Sequence, residues 1–167
     1  VREYSDMMLT TKFWKSIDDE HILVFQTDSI VLGVGSTLKP EDLFQYDYVG
    51  APWRDPPLYV KSPQNKKVPL LIGNGGLSLR KRSSTIMATK ENEKSKNKFN
   101  GNEDVYFSSY FTQNPDKFNI PTIKVASQFS IETMKTSEVP WACHKTWNYI
   151  DNIMNKYPII KKLKDLQ

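Results

Sequence analysis

His21-Ile22-Leu23-Val24-Phe25-Gln26-Thr27-Asp28-Ser29 is the stretch on which the fold reading turns. Its continuous apolar run is of the kind found in a strand buried on both faces, and it stops abruptly at polar residues. A carboxylate, Asp28, therefore stands at the carboxyl end of a strand. Buried without a partner it would be costly, so it either caps the following turn or is tied to a cation or to hydrogen-bond donors. A lone strand-end Asp suits Mg2+ or Mn2+, which are held by one or two carboxylates together with substrate phosphates.

Working outward, Tyr4 to Ile17 places Met7, Met8, Phe13, Trp14 and Ile17 at helical spacing. Pro40 to Phe44 reads as one helical turn with Pro40 preset for its first position, and Tyr46 to Ala51 as an extended segment. Five prolines and several lysines from Pro52 to Pro69 predict a long surface loop. Gly73-Asn74-Gly75-Gly76 reads as a turn feeding a strand over Leu77 to Arg80. Helices are predicted from Ser83 to Lys90 and from Glu103 to Phe111, then a strand from Pro121 to Ser127 and a short helix from Phe129 to Met134. Trp141 to Trp147 is a compact aromatic segment, and helices over Asn148 to Lys156 and Ile159 to Leu166, separated by Pro158, close the chain. Strands alternating with helices predict an α/β layer architecture, whose ligands commonly sit at the carboxyl ends of strands.

The 167 residues fit a single domain, 1–167. At 38% hydrophobic and 25% charged, the composition excludes a disordered chain and a coiled coil. The longest apolar runs fall far short of the ~20 residues of a membrane-spanning helix, so no membrane span is expected. The net charge is +4, but of 23 basic residues only Arg2, Arg54, Arg80 and Arg82 are arginines. The lysines lie at Lys61 to Lys67, Lys90 to Lys98 and Lys161 to Lys164, which read as solvated loops and a tail, and no nucleic-acid partner is expected. Cys143 is the single cysteine, which excludes an internal disulfide and a cysteine-built zinc site. With no Asn-X-Ser/Thr sequon, a cytoplasmic setting is favoured.

Four further places carry a chemical and a structural reading. Asn74, Gly75 and Gly76 either let a ligand approach the main chain or simply form a tight turn. Glu103 and Asp104 either supply a general base or stabilise the first turn of a helix through its dipole. His144 is either a packed core imidazole or a metal ligand complementing Asp28. Trp53 either stacks on a flat apolar ligand or anchors a loop to the core.

Taken in order, Phe25-Gln26-Thr27-Asp28-Ser29, Tyr46 to Trp53, Gly73 to Arg80, Glu103-Asp104-Val105-Tyr106-Phe107 and His144-Lys145-Thr146-Trp147 resemble a little-characterised family of glycosyltransferase-like domains. That resemblance covers roughly Tyr4 to Trp147 and implies a GT-A glycosyltransferase, a Rossmann-like α/β fold with a mixed sheet flanked by helices. It implies a UDP- or GDP-sugar donor, a glycan or other hydroxyl acceptor and a Mn2+ or Mg2+ cofactor, in a metal-assisted, inverting, hexosyltransferase-type reaction. Asp28 would take the place of the last Asp of the Asp-X-Asp metal motif, with Gln26 where its first acid stands and Thr27 between, and His144 would be the carboxyl-terminal metal ligand. Asn74, Gly75 and Gly76, with Gln26, Thr27 and Trp53, would border donor and acceptor. Asp104 would be the base, with Glu103 its companion in the acidic motif. Since such domains have a nucleotide-binding region before the metal motif, the chain reads as the carboxyl-terminal two-thirds of a GT-A domain from a longer protein, lacking the amino-terminal nucleotide-binding strands. Two other classes compete: a catalytically inactive, glycosyltransferase-derived module binding glycans or partners, and a nucleotidyltransferase, which would need two clustered metal-binding acids where only Asp28 is evident.

Overall fold

The computed structural model describes residues 2–32, 38–61, 65–134 and 139–145. The helices expected over Asn148 to Lys156 and Ile159 to Leu166, the lysines at Lys161 to Lys164, and Thr146 and Trp147 lie outside them. Strand β6 (Ile72–Lys81) organises the rest, pairing antiparallel with β1 (His21–Phe25) on one side and β3 (Tyr48–Pro52) on the other. Ser29–Val31 forms β2, which continues from β1 through the Asp28 turn and pairs antiparallel with β8 (Ala142–His144). Strand β7 (Ser130–Ile131) runs parallel to β8, making this second sheet mixed. Within the expected Pro-rich loop, β4 (Tyr59–Lys61) and β5 (Lys67–Pro69) form an antiparallel pair.

Helices α1 (Arg2–Met8), α2 (Thr11–Lys15), α3 (Arg82–Lys94) and α4 (Glu103–Gln113) build one core, in which Met8, Trp14, Phe107, Phe111 and Phe118 close over Tyr48 of β3. The second core lies under α5 (Ile123–Phe129), which packs against β3; Phe129 and Ala142 meet Val49, Leu77 and Leu79 there, with Leu43 of the 3-10 turn Pro40–Leu43. Tyr48 and Val49 enter different cores, as expected of adjacent residues on a strand. The chain is thus α/β, with small sheets, one of them mixed, flanked by helices. Among the described residues no helix is long and apolar enough to cross a membrane.

Four local expectations are corrected. Pro121 to Ser127 is not a strand: Thr122 caps α5 by accepting from the Val125 N–H, and Ala126 and Phe129 turn their helical face inward. Ser130–Ile131, expected in a helix, is instead β7. Gly73 to Gly76 is not a turn before the strand but part of β6 itself. The single helix expected over Tyr4 to Ile17 is divided into α1 and α2, with Thr10 as the cap of the second.

Asp47 ties the layers together just ahead of β3. Its carboxylate accepts from Ser84 Oγ at 2.5 Å and from the Asn119 N–H at 2.6 Å, joining α3 to the segment between α4 and α5. Asp47→Ala removes both acceptors, leaving the Ser84 hydroxyl and the Asn119 N–H without them, and is expected to cost about 2 kcal/mol, read by urea unfolding.

Candidate functional site

Strand β6 is irregular where the sequence is richest in glycine. Its register against β3 jumps from Gly50↔Ser78 to Ala51↔Asn74, so that Gly75 to Leu77 bulge away from β3. The bulge is braced from one side: Ser78 Oγ donates to the Gly75 carbonyl at 3.1 Å and Arg80 Nη2 to the same oxygen at 3.4 Å. Glycine is required by space. A Cβ at Gly75 would lie 2.6 Å from Glu103 Oε1 and 2.7 Å from Asp104 Cβ, whereas one at Gly76 would lie 2.1 Å from His144 Cε1. Successive residues of the bulge therefore touch two different polar clusters.

The first cluster is built on the start of α4. Glu103, 3% exposed, accepts Arg80 Nη1 at 2.8 Å and Nη2 at 3.1 Å, a two-pronged pair buried beneath Trp14, Tyr48 and Phe107, whose rings lie 5.0–5.5 Å from the guanidinium. Burial opposes the charge on Arg80, and the neighbouring Glu103 outweighs it, so the guanidinium is held protonated more firmly than usual. Both oxygens of Glu103 are thereby committed. Asp104 is less enclosed: Oδ2 accepts the Gly75 N–H at 3.2 Å and Oδ1 the Val105 N–H at 2.8 Å. Burial, reinforced by Glu103, lifts the Asp104 pKa above the usual Asp value despite those two donors. Tyr4, which nothing in its spacing marked as more than helical, brings its hydroxyl to this cluster. That oxygen is shut off from water and meets the Gln26 side chain only in a loose contact.

The second cluster gathers on β8. His144, 3% exposed, has Nε2 at 3.1 Å from Asp28 Oδ1 and Nδ1 at 2.8 Å from Asn74 Oδ1. The Nε2–Asp28 approach lies off the line of a good hydrogen bond, which leaves that buried nitrogen without an aligned partner. Asp28 itself is half-buried, its position fixed by pairing of Ser29 with His144 and by the Lys145 N–H donating to the Asp28 carbonyl at 3.0 Å. The Gln26 N–H donates to the Gly76 carbonyl at 2.9 Å, which ties the Asp28 turn to the bulge. Behind the imidazole, Glu132 is 3.7 Å from Nδ1 and accepts from Lys145 Nζ. Burial pushes the Glu132 pKa up, but bonds from His144 and Lys145 prevail and hold it below its usual value. Lys145 has a left-handed φ of +50°, uncommon for a residue with a side chain.

The sequence-predicted residues thus fall into two groups that meet along Asn74-Gly75-Gly76. Asp28, Asn74, Gly76 and His144 form one, while Glu103, Asp104 and Gly75 form the other, joined by Arg80. Trp53 stands apart, 9% exposed in a small apolar cluster with Val60 and Leu70. Thr27 is exposed in the turn between β1 and β2. Arg80, Glu132, Lys145 and Tyr4 were not singled out by the sequence for the parts they take here; an arginine inside the apolar strand Leu77-Ser78-Leu79-Arg80 was a readable sign of a buried acidic partner.

The donor set suits a hard cation at one place. Metal–oxygen bonds of about 2.1 Å at right angles put neighbouring ligand atoms about 3.0 Å apart, close to the Asp28–His144 separation. Among the described residues no group of three or more His, Cys, Asp and Glu could hold a metal ion, so water or phosphate oxygens would have to complete the shell. Cys143 contributes nothing: burial pushes its thiol up to about 12, and it stays protonated. Gly76→Ala is expected to drive the imidazole off Asp28 while β6 remains paired, read as a change in the His144 ring resonances with little change elsewhere.

The family model described as "Protein of unknown function (DUF5672)" matches residues 1–144. The chain belongs to that family. No curated protein and no solved structure matches it.

Proposed function

We propose that this DUF5672 member is a glycosyltransferase with a GT-A-type Rossmann-like fold, transferring a sugar from a UDP- or GDP-sugar to a hydroxyl of a glycan or other acceptor with inversion at the anomeric carbon. The observation that carries the reading is the juxtaposition, along one glycine-lined bulge, of a half-buried carboxylate beside a buried imidazole and a carboxyl of raised pKa. Asp28 and His144 would hold Mn2+ or Mg2+. Bound there, the ion would neutralise charge developing on the departing nucleoside diphosphate. Asp104 accepts the proton of the acceptor hydroxyl; the hydroxyl oxygen forms a bond to the anomeric carbon as that carbon's bond to the phosphate oxygen breaks.

Glu103 has a different task. With both oxygens on Arg80 it holds the start of α4 and the Gly75 carbonyl in register, so Asp104 keeps its place beside the Gly75 N–H. Gly75 and Gly76 leave room for the sugar to lie along bare main chain. Trp53, enclosed against Val60 and Leu70, has no part in this reading.

Nucleotide release from a panel of UDP- and GDP-sugars, with and without Mn2+, tests it. One donor is expected to be hydrolysed or transferred in a chelator-sensitive way, with loss in both Asp28→Ala and Asp104→Ala. Turnover equal to wild type in Asp104→Ala removes that residue from the mechanism. Donor binding without turnover by any acceptor would instead favour a glycosyltransferase-derived binding module.

A further inference from the structure

We infer that Asn74 is a positioning residue that holds His144 in the tautomer protonated on Nδ1, leaving Nε2 bare toward Asp28. The inference rests on reading Asp28 and His144 as the cation pair, and it gives Asn74 a task different from touching the donor. The Gly76 N–H can only donate, and it lies 3.2 Å from Asn74 Oδ1. The carboxamide must therefore turn its oxygen, not its NH2 group, toward the bulge. That same oxygen is 2.8 Å from His144 Nδ1, and an acceptor at that distance requires the ring nitrogen to be the donor.

Glu132 Oε1, 3.7 Å from Nδ1, adds a second acceptor on the same side of the ring. Asn74 is 5% exposed and His144 3%, so water does not compete for these bonds. A neutral ring with its proton on Nδ1 presents a lone pair at Nε2, and Asp28 Oδ1 presents another 3.1 Å away. Two acceptors facing one another at that distance attract whatever positive charge can enter between them. Such partners of a ligating imidazole set its orientation and basicity. The glycine at 76 serves the same end, since any side chain there would displace the ring.

Two measurements on the full chain test this. Long-range 1H–15N correlation of the metal-free protein reads which ring nitrogen of His144 carries the proton. The expected result is Nδ1–H in wild type and in Asn74→Asp, which keeps an acceptor oxygen, and appearance of the Nε2–H form in Asn74→Leu. Mn2+ titration followed by water-proton relaxation is expected to show binding weakened by about 10–100-fold in Asn74→Leu and restored to within a few-fold by Asn74→Asp. A wild-type ring protonated on Nε2, or an Asn74→Leu variant with wild-type tautomer and Mn2+ affinity, overturns the inference. If Asn74→Leu does not fold, the wild-type tautomer alone decides. Wild type that binds no Mn2+ yet carries the Nδ1 proton defeats the cation reading of the site and leaves the role of Asn74 intact.

Discussion

Asp104→Asn is expected to lower turnover by about 100- to 10,000-fold while the chain stays folded and its Mn2+ affinity is unchanged. The general base is lost; the amide oxygen of asparagine still accepts from one of the Gly75 and Val105 N–H groups, while its NH2 group faces the other. Burial first, and Glu103 second, raise the Asp104 pKa in the folded chain. A carboxyl raised in this way contributes stability that is fully present below its unfolded pKa and lost as pH rises through the folded one. The asparagine variant loses that pH dependence of stability, and the N–H that its NH2 group faces is expected to cost about 1–3 kcal/mol by urea unfolding. Loss of turnover in a protein still folded at the assay temperature assigns the defect to chemistry. The same raised pKa sets the acid limb of kcat/KM: activity rises with pH through a value above the ordinary Asp range. An acid limb at the ordinary Asp value, or none, contradicts Asp104 as the base.

The largest effect on folding belongs to Arg80→Met, expected to cost about 3–5 kcal/mol by urea denaturation. Truncation leaves Glu103 buried without its counter-charge and strips Trp14, Tyr48 and Phe107 of the cation they enclose. It also removes one of the two donors to the Gly75 carbonyl. Arg80→Met combined with Glu103→Gln is expected to recover much of that loss, since the uncompensated charge goes with its partner. Full additivity of the two single substitutions would show that the pair is not coupled.

Much of this architecture was legible in the residues. The strand leading into the Asp28 turn, the acidic start of α4 and the extended segments before Trp53 and after Gly76 all appear where the chain alone puts them, because each carries a local signal: a stop at polar residues, a dipole-matched turn, an apolar alternation. The expected burial of that first strand on both faces fails, since β1 lies at a sheet edge and leaves Leu23 42% and Phe25 50% exposed. Pro121 to Ser127 misled because Ile123 and Val125 favour strands, whereas the outcome was set by the Thr122 cap and by burial of Ala126 and Phe129, which is tertiary information. The glycines misled for a related reason. Glycine in a strand marks close approach or a bulge as readily as a turn, and only the imidazole and the acids packed on Gly75 and Gly76 distinguish these. Half of the site could be named in advance by chemical type. The remainder, Arg80 beneath Glu103, Glu132 behind His144 and Asn74 turned to the ring, depends on contacts across 23, 12 and 70 positions, which no local pattern encodes.

An anomalous-diffraction map of crystals grown with Mn2+ and a nucleoside diphosphate tests the Asp28–His144 cation pair most directly. A manganese peak is expected bonded to Asp28 Oδ1 and His144 Nε2, with diphosphate oxygens on its remaining positions and Asp104 facing the space beyond the terminal phosphate. A peak elsewhere on the molecule, or a diphosphate bound with no metal between it and these two residues, would contradict it.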